Sequence, residues 1–430
     1  MASTRAARAD ATSLLAGIIL FLGALLLAFP APAKELPTPL EAARAKQQNE
    51  IKIGYLHQTT RPETLPASRL DAEPGDIGVA GADTALRENN SAGQFTGDLY
   101  TVEEKTVAPD EDAVAALQTL LDQNIRYIIV DAPADTLLAL ADAVKGKDVL
   151  LFNVRAPETA LRQEQCRDNV LHVAPDRTML ADALAQYLIA NDWKNWLLVT
   201  GPTEGDQAYA AAIERAAERF GGKIVDRRSY KDTPGRDRDE IGTIPAPSQG
   251  AGDDVASYDV VVAADEARSW SPYAPYRGDA LRPIVGTAGL MPESWHGAHS
   301  KWGARQLNNH FEEEHQRTMR PVDYHAYIAA RSVGEAVTRN RNADFDTIRD
   351  FIHSDKFQLN GFKGIKHTYR AWDGQFRQPI LLVTDKVIVS VSPQPGFPHP
   401  SAPDLLVDTL GIDQDESRCK MYVEAETAEQ

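Results

Sequence analysis

The chain has 430 residues, with 45 Lys+Arg against 62 Asp+Glu and a formal net charge of −17 at pH 7. Phosphate backbones repel a chain this acidic, which makes nucleic acid a poor partner. Acidity suits a cationic ligand, and more simply it keeps an exported protein soluble; the length exceeds what one core supports comfortably, so two domains are expected.

Residues 1–33 read as a secretory signal peptide: Arg5 and Arg8 form a basic start, 14–29 is an apolar run, and Ala31-Pro32-Ala33 is a small-residue cleavage site. A retained anchor is the competing reading, but the run falls short of the roughly 20 residues a spanning helix needs. No cysteine closely follows it, which argues against a lipoprotein, and no other stretch is apolar enough to span a bilayer. The mature protein is therefore expected in the periplasm, not embedded in the membrane. Cys166 and Cys419 are the 2 cysteines. In an oxidising compartment they read as one disulfide tying the tail to the middle of the chain; two buried thiols are the alternative.

Residues 34–50 are a polar lead-in, and from Ile51 strands alternate with helices. A β-rich run at 51–57 precedes a helix at 78–90 with Val79, Ala82 and Leu86 on one side. A strand at 98–107 precedes a helix whose apolar stripe is Ala113, Leu117, Leu120 and Leu121. "RYIIVDA" is a buried strand, 136–144 a helix and "DVLLFNV" another buried strand. The rhythm restarts at "NVLHVAPD", which leads into a helix with Met179, Leu180, Leu184, Tyr187 and Leu188 facing one way. "NWLLVTG", "GKIVDRRSY", "YDVVVAADEA" and "RPIVGTAGL" are further strands. A helix at 208–220 is stopped by Gly221-Gly222, a polar loop fills 231–254, and a long helix covers 318–339. Strands buried on both faces and alternating with helices mean parallel sheets under helices. Two such runs predict an α/β protein of two doubly wound lobes, with any ligand beyond the strands' carboxyl ends in the cleft between them.

Near the end, Asp373-Gly374 sits between "IKHTYRAW" and "QFRQPILLV" and predicts a two-residue hairpin. On the first arm Lys366, Thr368, Arg370 and Trp372 share a face. The bases are expected to meet the Trp372 ring, pair with carboxylates and keep the ribbon soluble.

From Phe362 onward, "FKGIKHTYRAWDGQFRQPILLVTDKVIVSVSPQPGF" and "DLLVDTLGIDQDESRC" resemble the C-terminal signature of a group of periplasmic solute-binding proteins. That group serves ABC transporters found with pyrroloquinoline quinone-dependent alcohol oxidation. Its wider relatives are type I binding proteins of the leucine/isoleucine/valine-binding kind. The resemblance implies a non-enzymatic monomeric receptor that holds a small solute and delivers it to a membrane permease. It implies a first lobe of 51–172 with about 285–360, a second of 173–284 with about 361–400, and a tail of 401–430. The stretch from Phe362 would be scaffold of the second lobe.

Strand ends then nominate the ligand contacts: Gln58, Asp131, Asn153, Arg155 and Thr159 from the first lobe, Glu204 and Asp265 from the second. In amino-acid-binding relatives a Ser/Thr after the fourth strand anchors the ligand carboxylate and an acidic residue at the "GTAGL" position anchors its ammonium. Here those places hold Arg155-Ala156-Pro157 and Ala288, so the solute is not expected to be an ordinary amino acid. Arg155 suits a two-pronged contact with a carboxylate or phosphate, such as an organic acid. Asp131, Asp135, Asp265 and Glu266 suggest an alternative, a calcium or lanthanide ion or its chelate, because hard cations want many oxygens. Against both stands the plain reading that these carboxylates cap helices or pair with arginines. No resident cofactor is expected.

Other motifs carry less. "DRDEIG" at 237–242 opens like a calcium loop but lacks the acidic twelfth residue, since Ser248 stands there. "FEEEH" at 311–315 reads as a polar helix start whose neighbouring side chains diverge. His296 beside Trp295 reads as surface or cleft lining. No nucleophile elbow, Walker loop or zincin motif is present, and no catalytic residue is assigned.

Overall fold

The computed structural model describes residues 49–61, 68, 72–230, 257–276, 282–399 and 405–420. The leader, nearly all of the lead-in, the polar loop expected at 231–254 and the "DRDEIG" segment lie outside the described residues.

The first sheet joins β1 (Asn49–Gln58), β2 (Asp98–Val107), β3 (Tyr127–Asp131), β4 (Leu150–Asn153) and β5 (Val170–His172) in the order β2-β1-β3-β4-β5, all parallel. Their alternation sorts two cores. Ile51, Ile53, Tyr55, Ile129 and Phe152 pack under α1 (Val79–Thr96) and α7 (Pro321–Asn340); Leu56, Ile128, Val130 and Leu151 pack under α2 (Ala113–Leu121) and α3 (Ala134–Ala143). The second sheet orders β6 (Asn195–Thr200), β7 (Lys223–Ser229), β8 (Val260–Ala264) and β9 (Ile284–Gly286) as β7-β6-β8-β9, again parallel. One face meets α4 (Arg177–Ala190) and α5 (Glu204–Phe220), while Trp270, Tyr258 and Ala274 cover the other. Both sheets reverse strand order after their first strand, which creates a switch point in each lobe.

Local signals explain most boundaries. Asp112, Asp176 and Thr203 cap α2, α4 and α5 with their side chains, Thr203 in a capping box with Asp206. Gly221 ends α5 at φ 83°. α1 runs one turn and a half beyond the expected 78–90 because Asn89 and Asn90 bond inward, to Ala330 O and Tyr100 O, and do not end the helix.

Several expectations need correction. The long helix begins at Pro321, and a separate helix, α6 (Ala304–His315), precedes it. "FEEEH" is therefore the end of a helix, not its start. The strand expected over 282–290 stops at Gly286 and resumes as β10 (Met291–Glu293). At Asp373-Gly374 the chain does reverse, but through a wider turn: Arg370 N donates to Gln375 O at 2.8 Å and Gly374 N to Arg370 O at 3.0 Å. Tertiary pairing pulls the two arms apart. β12 (Lys366–His367) pairs with β11 (Leu359–Asn360), and Gln375 lies parallel to His172. The regular hairpin is the next one, β13 (Ile380–Val383) with β14 (Ile388–Ser392), and β10 joins its free side.

Trp372 does receive cations, Arg370 at 5.2 Å and Arg377 at 5.1 Å, and both arginines bond Asp408. Arg370 is 2% exposed and does not solubilise a ribbon, whereas Lys366 on the same arm is exposed. Tyr369 and Phe376 pack in the first core, whereas Leu382 packs in the second-sheet core, so the stretch from Phe362 divides between the two cores after Phe376. Cys166 and Cys419 form a disulfide across 253 residues. Among the described residues no helix is long and apolar enough to cross a membrane.

α1 and α7 approach through Gly81, where an added β-carbon would overlap the Asp323 carbonyl. Helix propensity alone would make Gly81→Ala stabilising by about 1 kcal/mol. Overpacking against backbone predicts the reverse sign, a loss of roughly 1–3 kcal/mol in a denaturant melt.

Candidate functional site

The two switch points lie at the ends of β1/β3 and of β6/β8. At the first, His57 pairs in register with Asp131. Asp131 is fully buried and accepts from Tyr55 Oη at 2.7 Å and from His57 Nδ1 at 2.9 Å. The Arg155 Nε also donates to it, and an Arg155 Nη follows at 3.3 Å. Burial alone would push the Asp131 carboxyl up, but His57 and Arg155 outweigh it and hold it at about 2. The hydrogen bond to Asp131 raises His57 above its ordinary value against burial, and the Arg155 guanidinium is raised by Asp131 and Glu73, again against burial. The outer edge of Arg155 takes the Glu73 carboxylate at 2.8 and 3.3 Å. Gly78, at φ 75°, lets α1 start over this cluster, since a β-carbon there would strike the Tyr55 hydroxyl.

At the second switch point Asp265 is fully buried and accepts from the backbone N–H groups of Ser269, Trp270 and Ser271 at 3.1, 2.8 and 2.7 Å. It fixes the loop after β8. Asp206 accepts from Glu266 N at 2.8 Å and completes the α5 cap. Beside the first crossing the lobes also meet at Arg177. Arg177, at the start of α4, donates to Glu266 at 2.8 and 2.7 Å and reaches Glu158, on the first-lobe loop after β4, at 3.2 Å. Burial raises the Glu266 carboxyl although Arg177 opposes it.

The strand-end nominations thus divide. Asn153 is fully buried and holds its own turn through Ala156 O, Ala156 N and Arg155 N. Gln58 is buried and accepts from Thr136 Oγ1 at 2.5 Å. Arg155 and Thr159 are half-buried, and Glu204 and Asp135 are exposed. The carboxylates offered for a cation do not converge. Among the described residues the one group of three ligand-type side chains within 4.8 Å is Asp83, Glu314 and His315, away from the strand tips. Arg87 already neutralises it, at 3.1 Å from Asp83 and 3.5 Å from Glu314.

Strand-end reasoning missed Glu293, Tyr209 and Arg268. Glu293, on the crossing strand β10, is half-buried, and burial pushes its carboxyl up to about 7 against the nearby Arg268. Tyr209 Oη, Arg268 Nε and Glu158 Oε2 are buried without a hydrogen-bond partner among the described residues. For Glu73 the sequence held no signal, because it lies mid-connection before α1.

A family model described as periplasmic binding protein matches residues 50–239. Among solved structures, a branched chain amino acid ABC transporter periplasmic ligand-binding protein from Burkholderia xenovorans superposes with a TM-score of 0.66 at 15% identity. The match covers 86% of this chain and 100% of that one. The fold is that of the type I periplasmic binding proteins. An ABC transporter substrate-binding protein from Sphaerobacter thermophilus gives a TM-score of 0.63 at 16% identity over 80% of this chain and 98% of that one. A branched-chain amino acid transporter substrate binding protein from Streptococcus pneumoniae, in complex with isoleucine, gives 0.57 at 16% identity over 80% and 99%. None of the curated proteins compared matches the chain.

The Glu293 carboxyl makes a pH prediction. Its folded value of about 7 lies above the ordinary 4.5, so the folded state holds the extra proton. The destabilisation from an ionised Glu293 is absent below 4.5, grows as pH rises to 7 and is complete above it. Glu293→Gln is therefore expected to raise Tm by about 2–5 °C at pH 8 and hardly at all at pH 4.5. An equal change at both pH values would refute the assignment.

Proposed function

We propose that this chain is the periplasmic solute-binding component of an ABC transporter, without enzymatic activity, and that its solute is a small organic carboxylate. What carries the reading is the guanidinium of Arg155, held at a lobe's switch point by a carboxylate that is itself fully buried. The two-lobed fold, the match of the family model over 50–239 and the printed descriptions of the structural neighbours support the receptor role. The N-terminal leader pattern supports export, and the C-terminal resemblance to quinone-associated binding proteins suggests an acid of the kind that alcohol oxidation produces.

The pneumococcal neighbour was solved with isoleucine. In this chain Ala288 is buried where an ammonium anchor is expected, and Arg155 replaces the hydroxyl anchor for the carboxylate. That exchange favours an acid over a zwitterion. Asp131 and Asp265 are buried under internal donors and Glu266 is bound to Arg177, so the reading takes an organic solute rather than calcium or a lanthanide.

In this mechanism the solute enters between the lobes and its carboxylate meets Arg155. Thr159 and Glu204 approach it from the two rims. Rotation about the crossings closes the lobes over the solute. The closed form is then presented to the membrane permease, with the receptor acting as a monomer.

Thermal melts with acetate, glycolate, lactate, succinate, leucine and isoleucine test this directly. A ligand at 100 times its Kd is expected to raise Tm by several degrees, since binding the folded form alone stabilises by about 2.7 kcal/mol. At least one carboxylate should do so, and Arg155→Gln should abolish the effect. Stabilisation by none of them, or catalytic turnover of any, would overturn the assignment.

A further inference from the structure

We propose that the outer edge of Arg155 is a carboxylate-binding subsite and that Glu73 is its resident, displaceable occupant. The inference rests on the receptor reading above and deepens it. The geometry of Arg155 is two-sided. Its inner edge, Nε and one Nη, is fixed by Asp131, which Tyr55 and His57 hold in turn. The outer edge presents a planar fork to Glu73, one oxygen on each Nη at 2.8 and 3.3 Å. This is the two-pronged arrangement a free carboxylate adopts on arginine.

The two carboxylates differ in kind. Asp131 is 0% exposed, whereas the Glu73 side chain is 52% exposed and stands in the connection between β1 and α1. An exposed ion pair of this sort is weakly held against solvent. The Arg155 guanidinium keeps its orientation through Asp131 when Glu73 leaves, so the fork stays aimed for a visitor. Charge balance points the same way. Asp131 offsets one positive charge, Arg155 brings one, and His57, whose proton affinity Asp131 raises, supplies another as pH falls. With His57 protonated, Glu73 neutralises the one surplus positive charge in the absence of ligand. A solute carboxylate that replaces it restores the same balance while Glu73 turns to water.

The test compares wild type, Glu73→Gln and Arg155→Gln by isothermal titration with acetate, glycolate and succinate at pH 6.5. A denaturant melt of each confirms folding. Glu73→Gln keeps the length of the side chain and removes its competing charge. It is expected to bind at least one of these acids about 3–10-fold more tightly than wild type, while Arg155→Gln binds none. Unchanged or weaker binding by Glu73→Gln, with loss in Arg155→Gln, would refute displacement and leave Arg155 as the anchor. Equal binding by Arg155→Gln and wild type would overturn both the subsite and the reading beneath it, as would silence from all three proteins.

Discussion

Where a chain leaves one sheet for the other, its backbone carbonyls lose their strand partners, and buried carbonyls cannot stay unpaired. The structure depends on how that problem is solved at the first crossing. Gln375 Nε2 donates to His172 O and Ala174 O at 3.0 and 3.1 Å, and Gln378 Nε2 to Val173 O at 2.7 Å. Arg162, itself buried, donates to Ala174 O and to Gln375 Oε1 at 2.7 and 2.9 Å. Two glutamines from the last crossing thus pair the carbonyls of the first. Two distant parts of the chain become one stitched hinge. Lys363 completes it by donating to Gln378 Oε1 at 2.6 Å over the Tyr324 ring, at 4.6 Å. Burial holds that amine well below its ordinary value. A buried network of this density specifies one geometry, because any unmade bond in it is costly.

The same economy of buried polar groups shapes both cleft walls. Each switch point is organised by a fully buried aspartate, Asp131 or Asp265, that accepts from groups of its own lobe. Both carboxylates are engaged by donors of their own lobe. Their work is to aim what surrounds them, a guanidinium in the first lobe and a run of backbone amides in the second. Beside the stitched hinge, exposed or half-buried charges, Glu158 and Glu266 around Arg177, add an ionic contact between the lobes. Rigid anchors within each lobe and a weaker ionic link between them are what a hinged receptor requires.

Much of the fold was legible because its signals are local. Continuous apolar runs such as Tyr127–Asp131 and Val260–Ala264 have no amphipathic reading and mark strands covered on both faces. α6 was not legible: of its twelve residues only Ala304, Leu307 and Phe311 are buried, too narrow a stripe among polar neighbours. The turn at Asp373-Gly374 was misjudged for the opposite reason. Its sequence favours a tight hairpin, but Gln375 is needed beside His172, and that tertiary bond widens the turn. In the cleft, strand-end logic reached Asp131 and Arg155 but not their mutual pairing, which depends on the register of β1 against β3. Glu73 and Glu293 lie off the strand tips and needed coordinates.

The tail sets the freedom left to the hinge. Its disulfide binds Cys419 to Cys166 in the first lobe. In the chain-entropy view, a link spanning 253 residues restricts the unfolded chain by roughly 5 kcal/mol. On the second-lobe side Gly411 N donates to the buried Asp182 at 2.9 Å, and Arg219 joins Asp182 and Gly411 O at 2.7 Å each. Just before Gly411, Arg370 holds Asp408 and Leu410 O at 3.0 and 2.7 Å. The tail therefore runs as a strap from one lobe to the other along the stitched crossings. A strap fixed to both lobes limits how far they separate beside the first crossing, where Arg177 also meets Pro157 O and Glu158. The crossings and the tail then act together as the hinge of a two-lobed receptor, because Gln375, which pairs the crossing carbonyls, and Arg370, which holds the tail, stand in one turn.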